Sequence, residues 1–208
     1  MTDFARRERL ALADLSLRLG PDAPTLCAGW TTRDLAAHIV VRDRRPDLMA
    51  ELLLPPLRGH GERLRTAKAA QPYESVLAEV RTPPPWSLIS NRLTDELFNT
   101  VEFFIHHEDV RRGGPDWEPR TLDPEHERAI WRTTRLTARI GLRRLGLPAR
   151  VHADGLEPFE VGENPQVSLS GPAGELALFL SGRQRAARVA LDGPSDVVER
   201  LRRARLGI

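Results

Sequence analysis

The chain is 208 residues long, the size of one ordinary domain or of a main domain with a small appendage, and 40% hydrophobic residues suffice for a core at that size. Its pI of about 9.3 would suit a nucleic-acid binder, but 31 basic residues face 29 acidic ones, and acids interrupt the arginine clusters in "RRERL" and "VVRDRRPD" where a binding stripe would be unbroken. No apolar run approaches the roughly 20 residues of a membrane span, "MTDFARRERL" lacks the apolar core of a secretory signal, and the single cysteine, Cys27, allows no intrachain disulfide, so a cytoplasmic location without membrane or nucleic-acid partners is expected.

Residues 3–19 carry Phe4, Ala11, Leu12, Leu15 and Leu19 at helical spacing, and Gly20-Pro21 ends the pattern. A second helix begins at Thr31, a good N-cap with Asp34 at N3, while Trp30 and Leu35 occupy the positions of a hydrophobic staple. It runs to Arg45 before Pro46, with a continuation through Leu54 to Pro55-Pro56. Residues 57–71 are polar and read as loop or frayed helix; a short helix follows at 72–81, stopped by "TPPPW". Two longer helices are expected at 88–111, ended by Gly113-Gly114-Pro115, and at 124–145, opened by Asp123 with Pro124 at N1. Substantial helices with modest connections suggest a bundle.

The pattern changes after Leu147-Pro148. "ARVHADG", "PFEVG", "QVSLSG" and "ARVALDG" alternate like short strands, whereas "PAGELALFLSGR" and "PSDVVERLRRARL" read as helices. The expected class is therefore α+β, with a helical domain over 1–147 and a small α+β domain over 148–208.

"NTVEFFIHHEDVRR", residues 99–112, holds the densest chemistry. Leu97, Val101, Phe104 and Ile105 form its apolar stripe, with Glu102 and His106 one turn apart at the margin. By the same arithmetic His107 points to solvent, and Glu108 falls inside the stripe as a rival carboxylate. His38 shares a face with Leu35 and Ile39 on the second helix, so it also points inward. Buried charge must be paired or bound to metal. Two histidines and a carboxylate suit Zn²⁺, and also Ni²⁺ or Fe²⁺, and three protein ligands leave one position open. Asp34 or Asp109 are the candidate acceptors that would orient an imidazole. His60, His126 and His152 read as surface residues, and Cys27 as a small hydrophobe beside Trp30. There is no G-x-S-x-G, P-loop or G-x-G-x-x-G motif.

"LCAGWTTRDLAAHIVVRDRRPD" resembles the G-W-T-x-x-D-L-x-A-H signature of the mycothiol-dependent maleylpyruvate isomerase family, within the DinB-like metal-binding four-helix bundles. "EFFIHHED" is similar to the family's E-x-x-x-H motif, and "VSLSGPAGELALFLSGR" to its small C-terminal domain. The resemblance implies a DinB-like bundle whose metal ligands are His38, Glu102 and His106, and mycothiol as co-substrate. It also implies a role near the active site for Arg183, an arginine contributed by the second domain. Arg42, one turn beyond His38, is a candidate for binding a substrate carboxylate. With its "RRPD" after the histidine helix, the chain most resembles an unassigned actinobacterial subgroup of that family. The expected function is a metal-dependent transferase or isomerase that uses the thiol on a small electrophile. The alternative is a non-enzymatic metal-binding or regulatory protein on the same bundle.

Overall fold

The computed structural model describes residues 3–45, 59–87, 89–90 and 95–207, apart from the side chains of Asp95, Leu97 and Phe98. The expected extension from Pro46 through Pro56, residues 88 and 91–94 and the side chain of the stripe position Leu97 lie outside the described residues; residues 89–90, expected in the helix that starts at 88, form a bend. The fold is mixed α/β, in two compact units, Met1–Trp117 and Glu118–Ile208. No helix among the described residues is long and apolar enough to cross a membrane.

The first unit contains α1 (Phe4–Leu19), α2 (Thr32–Arg44), α3 (His60–Ala69), α4 (Tyr73–Arg81) and α5 (Asp95–Arg111). Helix α1 packs on α5 and α4, and α2 packs on α3 and α4. Their shared core contains Leu12, Leu35, Ile39, Leu77, Val80 and Phe103. Helix α2 starts as expected: the Thr31 backbone N–H donates to Asp34 Oδ2 at 3.0 Å, satisfying one of the donors a helix start leaves open. Of the two readings of 57–71, loop or frayed helix, helix is found over His60–Ala69. Its residues are polar, but Arg65 and Ala69, one turn apart, are buried, and Arg65 is ion-paired to Asp34 and Glu62.

Helix α1 buries Glu8 and Arg9 along with Phe4, Ala5, Leu12, Ala13 and Ser16, while Leu19 of the expected stripe is exposed. That choice of face is possible because both charges find buried partners. Arg9 Nη1 donates to Asp43 Oδ2 at 2.5 Å and to the Val80 carbonyl at 3.1 Å, and its guanidinium stacks on Phe103. Glu8 pairs with His107 at 2.6 Å. So His107 does not face solvent: α1 covers that side of α5.

In the second unit the elements follow the sequence reading closely. Helix α6 (Pro124–Arg144) opens with Asp123 Oδ1 accepting from the His126 N–H at 2.9 Å. Strands β1 (Ala149–Ala153), β2 (Phe159–Val161), β3 (Val167–Gly171) and β4 (Ala190–Asp192) form one sheet in the order β2-β1-β3-β4. The pairs β1–β2 and β3–β4 are antiparallel and β1–β3 is parallel, with Val151 opposite Leu169. Helices α7 (Ala173–Leu180) and α8 (Ser195–Arg203) follow β3 and β4. Strand β1 buries Ala149, Val151 and Ala153 and exposes Arg150 and His152, the alternation of a half-buried strand.

The compact units divide at Trp117, not at Leu147. Helix α6 packs on α7 and β2, with Trp131 Nε1 donating to the Glu157 carbonyl at 3.0 Å and its ring 5.4 Å from that of Phe159. The change of pattern after Leu147-Pro148 therefore marks where a strand begins, and the helix before it belongs with the sheet. His126, expected at the surface, is buried at the start of α6.

Candidate metal centre

Helix α5 is buried on nearly every side from Phe103 to Val110, so its polar residues cannot be sorted by one apolar stripe. Each instead has a particular partner. Glu108, the rival carboxylate, is fully buried and accepts from Arg112 Nε at 2.5 Å and from Arg111 Nη1 at 2.9 Å. It is a structural counter-ion to two arginines. His107 is taken by Glu8.

Glu102 and His106 are left facing α2. His106 Nε2 lies 3.2 Å from Glu102 Oε1, and His38 Nε2 lies 3.9 Å from the same oxygen. The two imidazole rings are 5.4 Å apart and nearly perpendicular. One ligand atom from each of the three residues falls within 4.8 Å of the others. For a tetrahedral zinc site with metal–ligand distances of about 2.0–2.2 Å, ligand atoms stand roughly 3.3–3.6 Å apart. The donor set suits a small divalent cation, and His38 would have to move closer to Glu102 to complete a tetrahedral site.

Behind His106 stands the orienting carboxylate. Its Nδ1 lies 2.9 Å from Oδ2 of Asp109, which is fully buried. An acceptor there keeps the proton on Nδ1 and turns Nε2 toward Glu102 and His38, as histidine–carboxylate pairs do at metal sites. Of the two acceptors proposed, Asp109 fills the role. Asp34 is occupied by Thr31 and Arg65.

Cys27 packs with Trp30 against the core as a partly buried small residue, as expected, and it also has a polar partner. Its Sγ lies 3.1 Å from Asp109 Oδ2, and Cys27, His106 and Asp109 form a second group close enough to share a cation. Two backbone features bring the loop there. The Leu26 N–H donates to the Asp109 carbonyl at 2.9 Å, and Gly113 lies so close to the loop that a Cβ on it would meet the Pro24 oxygen at 2.0 Å. The spacing of His106 and Asp109 is visible in the sequence. The docking of Cys27 is tertiary, and its only local sign is Gly113.

Electrostatics favour a positive charge at this point. Burial pushes the Glu102 carboxyl up, but hydrogen bonds from His106 and His38 and the charges of His106 and Arg42 outweigh it, holding Glu102 well below its usual range. Burial pulls His106 down, yet Asp109, Cys27 and Glu102 raise it well above the ordinary imidazole value. His38 is lowered by burial and by the charges of His106 and Arg42, against the hydrogen bond to Glu102. Without metal, the cluster thus keeps a proton on His106, between two carboxylates.

The two candidate arginines differ. Arg42 Nε lies 3.2 Å from Glu102 Oε1, and its Nη1 donates to Asn99 Oδ1 at 2.7 Å, so it joins the cluster through Glu102. Arg183 belongs to the second unit, just after α7, where its Nη1 donates to the Ser181 carbonyl at 2.6 Å. His60 lies beside Arg45, 3.1 Å from its Nη2, and His152 is exposed on β1. Trp30 flanks the cluster with its ring 5.1 Å from His38, and Arg65 stacks on Trp30. No family model, curated protein or solved structure matches the chain.

Proposed function

We propose that the first unit is a DinB-like metal-binding bundle, and that the protein is a metal-dependent, mycothiol-using transferase or isomerase acting on a small electrophile. The observation that carries this reading is the meeting of His38, Glu102 and His106 on two helices, with Asp109 behind His106. Two imidazoles and a carboxylate suit Zn²⁺, and also Ni²⁺ or Fe²⁺. A divalent ion with three protein ligands supplies Lewis acidity and lowers the pKa of a thiol or water at its open position.

The chain's own residues do the rest. Asp109 holds the His106 tautomer, and Glu102 offsets the cation's charge. Trp30 walls the His38 side of the cluster. Cys27 Sγ lies 3.1 Å from Asp109 Oδ2, in a loop and outside any nucleophile motif. In this reading a small thiol brings the nucleophile. Its thiolate adds to the electrophilic carbon of a double bond; rotation and expulsion of the same thiolate give isomerisation, and protonation of the adduct gives conjugation.

Metal analysis tests the centre first. The purified protein is expected to carry one equivalent of divalent metal, lost in His38→Ala, Glu102→Ala and His106→Ala. Full occupancy in Glu102→Ala refutes the assignment. Turnover of a panel of electrophiles should require both metal and mycothiol, survive in Cys27→Ser, and fall in Arg183→Ala if the resemblance assigns that residue correctly. Turnover without thiol would indicate hydrolysis by activated water. Tight metal binding with no turnover would leave the non-enzymatic reading.

A further inference from the structure

We propose that Arg42 and Asn99 are positioning residues that hold the Glu102 carboxylate between the two imidazoles, a role that rests on the metal-centre reading above. Glu102 Oε1 is the common point of the cluster, with His106 Nε2 and Arg42 Nε both at 3.2 Å. A carboxylate on a helix side chain has two rotatable bonds before its terminal torsion, and contacts to the two imidazoles it would share a metal with do not by themselves fix it. Arg42 adds a contact from outside the ligand set.

Arg42 is itself anchored. Its Nη1 donates to Asn99 Oδ1 at 2.7 Å, so two different guanidinium nitrogens are engaged. Because arginine has no acceptor, the oxygen of the Asn99 amide must face Arg42. The amide nitrogen then faces the Ile89 carbonyl at 2.7 Å and Ser90 Oγ at 2.8 Å. Ser90 has a single hydroxyl proton and donates it to Asp43 Oδ1 at 2.6 Å, so it accepts from Asn99 and from Arg9 Nη2, at 2.8 Å. Donor and acceptor roles are thereby fixed from Arg9 through to Glu102 without a choice of tautomer. Asn99 and Arg9 are buried in the interior of the unit, and Arg42, partly exposed, is the link between that rigid chain and the metal ligand.

This arrangement opposes the simple electrostatic expectation. A guanidinium beside a cation site repels the cation, so an arginine acting only through its charge would weaken metal binding, and its removal would strengthen it. A positioning arginine has the opposite sign: its removal frees the carboxylate and weakens binding, by about 10- to 100-fold for contacts of this kind.

The test is Co²⁺ binding to the full chain, measured by competition with a chelator and by the visible spectrum of the bound ion. Thermal melts of the metal-free proteins report folding. Arg42→Gln and Arg42→Lys are both expected to bind Co²⁺ about 10- to 100-fold more weakly, with an altered spectrum and an unchanged melt. Asn99→Leu should weaken Co²⁺ binding as much, with a lowered melt because it also removes the hydrogen bonds to Ile89 and Ser90. In an Arg42→Gln background it should add nothing to the binding loss, because it acts on the metal through Arg42. Binding by Arg42→Gln as tight as wild type, or tighter, overturns the proposal, as do losses that simply add in the double variant. Should Asn99→Leu fail to fold, the two Arg42 variants decide the matter alone. A wild-type protein that binds no Co²⁺, or binds it equally after His38→Ala, refutes the metal centre and the positioning role with it.

Discussion

Strand β1 and helix α5 both place charged or titratable residues among buried ones, in opposite ways. In β1, Arg150 and His152 alternate with Ala149, Val151 and Ala153, and the polar side chains go outward. In α5 four consecutive polar residues, His106 to Asp109, are all buried. A half-buried strand has one place to put a polar residue, which is water. A helix packed on several sides has no such face, and every polar residue it carries needs a partner from elsewhere in the unit. Polar residues inside α5 therefore mark particular pairings, and the pairings divide into those that hold the unit together and those that could hold an ion.

That division can be broken most sharply at Glu108. It is fully buried, and so is the Arg112 side chain it neutralises. Removing one member of such a pair leaves the other charge buried and uncompensated, at a cost of about 3–5 kcal/mol. Glu108→Ala is expected to lower the unfolding free energy from urea titration by that much while whatever protein folds still binds one equivalent of metal. Glu102→Ala is expected to do the reverse, losing the metal with little loss of stability. Metal lost in Glu108→Ala at full stability would exchange the two roles.

A smaller effect is expected at Gly113. An added Cβ meets the backbone of Pro24 and Thr25, which cannot move aside as a flexible side chain would. Gly113→Ala should cost about 1–3 kcal/mol, as overpacking does. It should also lift the Cys27 loop from Asp109, so that Cys27 reacts faster with a thiol reagent. An unchanged rate would mean that the Leu26–Asp109 backbone bond alone fixes the loop.

The same contrast explains what could be read from the sequence. The four strands, α7, α8 and the start of α6 follow from alternation, from Gly and Pro at the boundaries and from Asp123 before Pro124, all of which act within a few residues. That His38, Glu102 and His106 come together is legible because two short motifs carry them; Asp109 stands in the sequence beside Asp34 as one of two candidate acceptors, and the tertiary contacts choose between them. The partners of His107, Glu108 and Arg9 are not legible. Glu8 is 99 positions from His107, and nothing in the period of α1 says that a glutamate and an arginine will lie on its buried face. Periodicity scores a charge as exposed, and only tertiary pairing reverses that score. For the same reason the sequence leaves α3 open between loop and frayed helix: its buried anchor is an arginine paired with Asp34. The grouping of α6 with the sheet was also hidden, since an amphipathic helix does not say which surface it will cover.

The smallest expected effect lies in the second unit, at a half-buried acidic residue that departs from the outward rule. Glu127 of α6 accepts from the Gly174 N–H at 3.1 Å, at the start of α7. Burial raises its carboxyl pKa, with Asp154 and Glu175 adding to the shift, while hydrogen bonds from the Gly174 and Ala173 backbone oppose it. A carboxyl raised on folding binds its proton more tightly in the native state than in the unfolded chain. The native state is then favoured most at acid pH, and that advantage is lost as pH rises from the ordinary carboxyl range, about pH 4, through the raised value. Glutamine at this position keeps an oxygen for the Gly174 N–H and cannot ionise. Glu127→Gln should therefore be slightly more stable than wild type at pH 7, by less than about 1 kcal/mol, the size usual for a substitution of this kind. The difference should vanish as the wild-type side chain becomes protonated. Glu127→Ala, which also removes the acceptor, should be less stable than Glu127→Gln at every pH, by about 0.5–2 kcal/mol for a lost helix cap. Urea midpoints of the three proteins from pH 3.5 to pH 8 separate the contributions of charge and acceptor. If Glu127→Gln is instead less stable at pH 7 and the gap closes in acid, the α7 N-terminus stabilises the carboxylate by more than burial costs it, and the shift has the opposite sign.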